Sequence, residues 1–304
     1  MKRFAFAFAI LACCVAASAQ DKPAGPRITG IDHVVIYVSN LNSARDFYTA
    51  KVGLTPGGSG CRETKRACFT VNWASTQHIE LEPSDSCPRN DCLSEIVFAT
   101  GDARKLRSNL ARKGIKVTPV SKIGYRYLQF ESEDPEGNRI GFVQTVGWPI
   151  DDLPPGVHNG PNLIHAGLVV HDRDAEDRFY KDVLGFHVYW HGGMKDGEDN
   201  WVDMQVPDGT DWIEYMLGVS PNASHKTLGV MNHIALGVPD IHSAEQQLIK
   251  NGWKPTEEPK IGRDGKWQLN LYDPDETRVE LMEFKPTKEP CCSPYTGPHP
   301  GPKQ

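Results

Sequence analysis

Four stretches of this chain follow one pattern, and that repetition limits the fold more than any single motif does, because a missed repeat miscalls the whole architecture. The leading runs are His33–Asn40, Glu95–Asp102, His165–Asp172 and His233–Asp240, each β-rich and each reaching an Asn or Asp seven residues after its first member. A strand that stops at a side chain able to accept from free backbone N–H groups is a strand entering a helix N-cap. The pattern predicts amphipathic helices over 43–51, 103–113, 175–183 and 243–251, closed by glycines 20, 19, 20 and 19 residues from the leading position. Units one and three share Phe47-Tyr48 and Phe179-Tyr180, 14 residues after the leading His, so the order is ABAB and a two-unit block has been duplicated. Each unit closes on a short strand, Ile79-Glu80-Leu81, Ile140-Gly141-Phe142, Ile213-Glu214-Tyr215 and Val279-Glu280-Leu281, centred 47, 46, 49 and 47 residues beyond the leading position. Turn signals such as Asp134-Pro135-Glu136-Gly137 and Asp273-Pro274-Asp275-Glu276 set off these last strands. Each unit is therefore strand, helix and about three strands: an α+β chain of four βαβββ modules.

The modules pair into two domains, 28–146 and 162–285, around an aperiodic Pro- and Gly-rich linker, 147–161. The tail, 286–304, is Pro-rich without apolar pattern and is expected to be irregular or disordered. Residues 1–19 have a basic start and an apolar core ending in small residues, the pattern of a signal peptide cleaved after Ala19. The expected destination is secreted or periplasmic, with a lipoprotein on Cys13 or Cys14 as the alternative. No segment reaches the roughly 20 apolar residues of a spanning helix, so no membrane span is expected. Without Lys2 and Arg3 the chain carries 31 basic against 39 acidic residues, which argues against nucleic acid as a partner. Of the remaining cysteines, the close pairs Cys61/Cys68 and Cys87/Cys92 read as disulfides, and none, Cys291 and Cys292 included, has CxxC zinc spacing.

The leading residue and the centre of the closing strand are equivalent places in every module. If two modules face each other about a pseudo-twofold axis, these places converge. In the second domain they hold His165, Glu214, His233 and Glu280. Two carboxylates brought together without a cationic residue beside them repel, and a divalent cation removes that cost. The mixed nitrogen and oxygen set suits Fe, Mn, Co, Ni or Zn. In the first domain the same places hold His33, Glu80, Glu95 and Gly141; the first three make a possible second metal site, with a degenerate scaffold as the other reading. Trp190, His191, Trp201, Tyr215 and Trp267 are candidate walls of a substrate pocket, and His191-Gly192-Gly193 opens a candidate lid. His225 and Lys226 read as exposed linker residues.

The leading His strand, the helix carrying Phe179-Tyr180 and Leu184-Gly185, and an Asp-Pro turn followed by Val279-Glu280-Leu281 together resemble the vicinal-oxygen-chelate superfamily over roughly residues 28–285. That superfamily includes glyoxalase I, extradiol dioxygenases, methylmalonyl-CoA epimerase and the bleomycin- and fosfomycin-resistance proteins. The resemblance implies curved half-barrel sheets, each enclosing a cavity, and four modules in one chain look most like the extradiol arrangement. The ligand set instead looks like the four-ligand glyoxalase pattern; the extradiol pattern would use only His165, His233 and Glu280. Extradiol enzymes usually carry a Tyr four residues before the Pro of the closing turn, where this chain has Asn270, a further pocket candidate, while Tyr272 is out of place. The implied chemistry is that of a lyase, isomerase or epimerase, with a metal polarising a carbonyl and Glu280 or Glu214 moving a proton. A ring-cleaving dioxygenase and a non-catalytic binding protein are the alternatives. The implied partner is a small molecule, and the chain is expected to be a monomer or homodimer.

Overall fold

The computed structural model describes residues 27–57, 66–72, 77–88, 91–146 and 161–302. The expected leader, Cys61 and all of the linker but its last residue lie outside them. The first domain runs β1 (Ile28–Val38), α1 (Leu41–Asp46), β2 (Thr55–Pro56), β3 (Ala67–Thr70), β4 (His78–Pro83), β5 (Leu93–Thr100), α2 (Ala103–Arg112), β6 (Ser121–Ile123), β7 (Tyr127–Glu133) and β8 (Arg139–Thr145). The second runs β9 (Asn162–Val169), α3 (Arg173–Asp177), β10 (His187–Gly192), β11 (Trp201–Gln205), β12 (Trp212–Met216), α4 (His225–Met231), β13 (His233–Val238), α5 (Ile241–Lys250), β14 (Lys260–Ile261), β15 (Trp267–Tyr272) and β16 (Arg278–Glu283).

Each domain is one sheet, and the two have the same strand order: β2-β3-β4-β1-β5-β8-β7-β6 and β10-β11-β12-β9-β13-β16-β15-β14. At the centre of each sheet the leading strands of its two modules pair antiparallel, β1 with β5 and β9 with β13, and each closing strand lies parallel beside its own leading strand. That antiparallel pairing is the local pseudo-twofold the repeat requires. Asn40, Asp102, Asp172 and Asp240 all cap their helices by accepting backbone N–H groups, as the spacing predicted.

The one-residue difference between odd and even modules has a structural cause. In the odd modules α1 and α3 pass into a π-helical turn, Phe47–Lys51 and Arg178–Val183, while α2 and α5 have no such turn. The wider i→i+5 bonds, Val52 N–H to Phe47 O and Leu184 N–H to Phe179 O, both 3.0 Å, absorb one extra residue. The turn holds the Phe-Tyr pair inward, and its tyrosines tie the domains together. Tyr48 Oη donates to Asp273 Oδ2 at 3.2 Å and Tyr180 Oη donates to Asp134 Oδ2 at 3.1 Å. Module one is thereby pinned to the Asp-Pro turn of module four, and module three to that of module two. The apolar core continues between the domains, with Phe98 and Phe186 edge to face at 5.4 Å. Gln77 bridges the leading strands, donating to the carbonyls of Ile31 and Leu163 at 2.9 and 2.7 Å.

The tail is irregular, as expected, but it is packed rather than disordered. Tyr295 Oη donates to Asp264 O at 2.7 Å, Gln205 Nε2 donates to Pro298 O at 2.9 Å, and Trp190 Nε1 donates to Cys291 O at 3.1 Å. Cys87 is bonded to Cys92 and Cys291 to its neighbour Cys292; Cys68 is also disulfide-bonded. His225 and Lys226, read as exposed linker residues, open the helix α4, with Ser224 as its cap; Lys226 is exposed, and His225 is half-buried and bonded to the carbonyl of Asp275.

One buried carboxyl sets a pH dependence. Glu176 is fully buried and accepts the Glu136 N–H at 3.0 Å. Burial first, and then the Asp134 charge, raise it to about 9. A carboxyl raised on folding favours the folded state only while protonated, so stability declines as pH rises from about 4.5 through about 9. Glu176→Gln keeps the acceptor for Glu136 and cannot ionise. We expect it to match the native protein near pH 4 and to exceed it by on the order of 2 kcal/mol near pH 8.5, measured by denaturant unfolding across pH. An unchanged pH profile in the variant would refute this assignment.

Candidate metal centre

His165 lies on β9, His233 opens β13, Glu214 is central in β12 and Glu280 central in β16. The register sets Glu214 beside Gly167 and Glu280 beside Ala235, while Ala235 also pairs with His165 and Gly167 with His233. The four side chains therefore point to one side of the sheet around one point. His165 Nε2 and His233 Nε2 are 3.1 Å apart; His165 Nε2 is 3.8 Å from Glu214 and 3.6 Å from Glu280, and His233 Nε2 is 3.2 Å and 3.5 Å from them. Donors held about 2.1 Å from one ion are separated from each other by roughly 3 to 3.5 Å; His165, Glu214 and His233 gather as one candidate donor set, and Glu280 stands beside both imidazoles at slightly longer range.

The protonation pattern agrees for His165 and Glu280, whereas His233 is raised: burial and the Arg278 charge oppose its protonation, but hydrogen bonding with Glu214 and Glu280 outweighs them. The Nδ1 of His233 faces the Met231 carbonyl at 2.8 Å, which directs the lone pair of Nε2 to the cluster. Burial keeps the His165 imidazole below its ordinary value and so uncharged. Burial opposes ionisation of Glu280, yet hydrogen bonding with His165 and His233 and the Arg278 charge hold its carboxyl well below the usual range. Gly167 gives the room: a Cβ there would stand 2.1 Å from the His233 ring.

The site opens on a cavity of about 300 Å³ lined by Trp190, Trp201, Asp203, Trp212, Asn270 and Arg278 together with both glutamates. Trp190, Trp201 and Asn270 are walls, as expected. Tyr215 and Trp267 are not: strand alternation turns Tyr215 away from the Glu214 face into the core against Tyr180, and Trp267 packs against His242 and the core. His191 is half-exposed and bonded to Asp199 at 2.7 Å; its backbone N–H donates to Ser293 Oγ, and Arg263 Nε donates to the Gly193 carbonyl, so the segment is tied down at both ends.

The sequence reading expected no cation beside the carboxylates, and here the structure differs. Arg278, on the same face of β16 as Glu280, places Nη2 2.7 Å from His233 Nε2 and 4.0 Å from Glu280. Lys266 is fully buried beside the cavity, 4.5 Å from the Trp212 ring. Trp212 in turn packs on His165 at 4.7 Å. Ionised together, the buried carboxylates Asp203, Glu214, Asp264 and Glu280 exceed these two cations by two charges. The excess shows in Asp203, pushed far up by burial and Glu214, and in Asp264, raised to about 6 mainly by burial. The donor set and this surplus fit a divalent metal ion as cofactor.

The first domain fills the equivalent space differently. His33 stacks on His78 at 4.4 Å and bonds Asp32 at 2.6 Å. Glu80 is 2.8 Å from Arg66, and Glu95 is 3.3 Å from Arg139. Burial would raise Glu80, but His78, His33 and Arg66 hold it down to about 2. Burial raises Glu95 to about 7. Among the described residues, His33, Glu80 and Glu95 do not gather as one donor set; the clusters are Asp32–His33–His78 and Cys68–His78–Glu80, and Cys68 is committed to a disulfide. Arg66 and Arg139 are the counter-ions of the two glutamates here.

Fold and site together define a protein of duplicated βαβββ modules with a candidate metal centre in its second domain. The sequence matches the Glyoxalase/Bleomycin resistance protein/Dioxygenase superfamily over residues 30–142 and again over 162–281, and the chain belongs to that family. It is 28% identical over 131 residues to lactoylglutathione lyase of Haemophilus influenzae, covering 41% of this chain and 95% of that enzyme. Against 4-hydroxyphenylpyruvate dioxygenase of Yarrowia lipolytica it is 22% identical over 207 residues, covering 55% of this chain and 52% of the enzyme, so the match spans about half of that relative. Among solved structures, catechol 2,3-dioxygenase superposes with a TM-score of 0.63 at 17% identity, covering 90% of this chain and 95% of the other. The 2,3-dioxygenase LapB of a Pseudomonas species gives 0.64 at 18%, covering 92% and 96%. At such identities the likeness is one of fold.

Gly167→Ala is expected to push His233 off the centre, lowering stability by about 1–3 kcal/mol and weakening metal uptake. Thermal unfolding and metal titration check this. A variant with native stability and native metal affinity would show that the close approach is not required.

Proposed function

We propose that this protein is a metal-dependent enzyme of the glyoxalase or epimerase type, acting on a small oxygenated substrate, and that it works outside the cytoplasm. The observation that carries the reaction type is the convergence of all four donors, Glu214 included, within 3.8 Å of the imidazole nitrogens. When bound, a divalent ion supplies Lewis-acid polarisation of a substrate carbonyl. His165 and His233 then act as fixed neutral ligands. Either glutamate, on releasing a coordinating oxygen, is placed to take a proton from the carbon next to that carbonyl and return it. The tryptophan walls keep water from the substrate carbon.

Ring cleavage is the second reading, favoured by the likeness to extradiol dioxygenases. Against it, the described cavity walls carry no Tyr and no His beyond the ligands, and Asn270 stands where the extradiol Tyr is expected. Export is supported by the leader pattern over residues 1–19 and by the disulfides, which persist in oxidising compartments.

The purified full chain is expected to hold one equivalent of metal, and His165→Ala and Glu280→Ala to lose it, by elemental analysis. With 2-hydroxy ketones in deuterated buffer, the loaded protein should exchange the carbon-bound proton, and Glu214→Gln or Glu280→Gln should slow exchange by about 10²–10⁴. Oxygen consumption with catechol, without proton exchange, would overturn this reading in favour of ring cleavage.

A further inference from the structure

The cavity beside the proposed metal centre has polar atoms that nothing in the protein satisfies. Arg278 Nε, Trp212 Nε1, Asn270 Oδ1 and Asp203 Oδ1 are all buried without a hydrogen-bond partner, and all four residues line the same space. Buried polar atoms are normally paired, because leaving one unpaired costs about 1–3 kcal/mol. Four in one cavity mark the contact points of a ligand.

Arg278 is the most informative of them. Its side chain is 15% exposed, and its closest acceptor is His233 Nε2, the lone pair that a metal ion would take. Once that nitrogen is committed to a metal, the guanidinium keeps only Glu280, at 4.0 Å, and its Nε has no acceptor at all. A guanidinium in that position needs an anion that presents two oxygens in a plane. The indole N–H of Trp212 adds a second donor on the same cavity, while Asn270 Oδ1 offers an acceptor. Three indoles supply flat apolar walls.

We infer that the substrate is a carboxylic acid bearing hydroxyl or carbonyl oxygens, whose carboxylate is held by Arg278 while its neighbouring oxygens face the metal. This rests on the metal-centre reading and narrows it to a substrate class. Arg278 is a binding and specificity residue for that carboxylate, not a ligand of the ion.

Two probes separate the carboxylate from the chelating oxygens. Catechol and 3,4-dihydroxybenzoate present the same adjacent oxygens, and only the second carries a carboxylate. Binding to the zinc-loaded full chain is read by quenching of tryptophan fluorescence and by calorimetry, under anaerobic conditions. The acid is expected to bind at least tenfold more tightly than catechol. Arg278→Gln should bring the ratio near one with metal content unchanged, and Arg278→Lys should restore part of it. Equal affinity for the two probes in the native protein, or an undiminished ratio in a folded, zinc-loaded Arg278→Gln, would overturn the assignment. Zinc content is measured in parallel: failure of the native chain to take up zinc overturns the metal centre itself, whereas full zinc with equal affinities overturns the carboxylate anchor alone.

Discussion

Everything at the candidate centre depends on the antiparallel pairing of β9 with β13. That pairing sets His165 against Ala235 and His233 against Gly167, so the two imidazoles meet edge to face with 3.1 Å between their Nε2 atoms. The parallel neighbours β12 and β16 then deliver one glutamate from each side. A slip of one residue in any of these four strands would turn its ligand into the opposite face of the sheet. Register is well defined here because both faces are buried: β9 and β13 expose no residue. The ladder hydrogen bonds and the core thus hold together two carboxylates that in isolation would separate.

The two domains are one experiment carried out twice. Both have the same strand order and the same equivalent positions, yet only one keeps two imidazoles and two carboxylates. In the first domain Gly141 replaces the fourth donor, and Val97 and the Glu95 carboxylate occupy the room a side chain there would need. Arg139 stands two residues before Gly141, as Arg278 stands two before Glu280. In one domain that arginine reaches Glu95 and serves as a counter-ion; in the other it reaches His233 at the edge of a cavity. The same strand position therefore stabilises a scaffold in one copy and faces ligand space in the other, the difference being set by what the fourth position holds.

Most of this was legible because spacing is a one-dimensional record of register. The equal offsets identified the caps, the closing strands and the four side chains that the sheet brings together. Even the odd glycine offset of 20 against 19 recorded a π turn, though its meaning needed the i→i+5 bonds. What the sequence hid were contacts set by side-chain direction and by long-range packing. Alternation along β12 would have excluded Tyr215, the neighbour of Glu214, and pointed to Trp212, and alternation along β16 would have pointed to Arg278, two residues from Glu280. Lys266 could not have been found that way, because a lysine in a turn next to a strand reads as solvent-exposed. The packing of the irregular tail was hidden for a related reason: its anchoring uses Tyr295, Ser293 and backbone carbonyls, which leave no periodic signal.

The tail also explains how a lysine can be buried beside the cavity at all. Its ammonium lies 4.5 Å from the Trp212 ring, 5.1 Å from Tyr189 and 5.2 Å from Tyr295, the last of these supplied by the tail. His299 packs on both Tyr189 and Tyr295 and covers them from outside. Stripped of the tail, Lys266 would lose one wall of this box and gain water. Water would relieve the burial that disfavours its charge but would also screen it, weakening its pull on the carboxylates of Asp203 and Asp264. Those carboxylates share the cavity with Glu214 and Glu280, so the electrostatic balance at the donors is set partly by a segment far from them in sequence. The irregular end of the chain is in this sense an outer wall of the box that holds Lys266 beside the cavity.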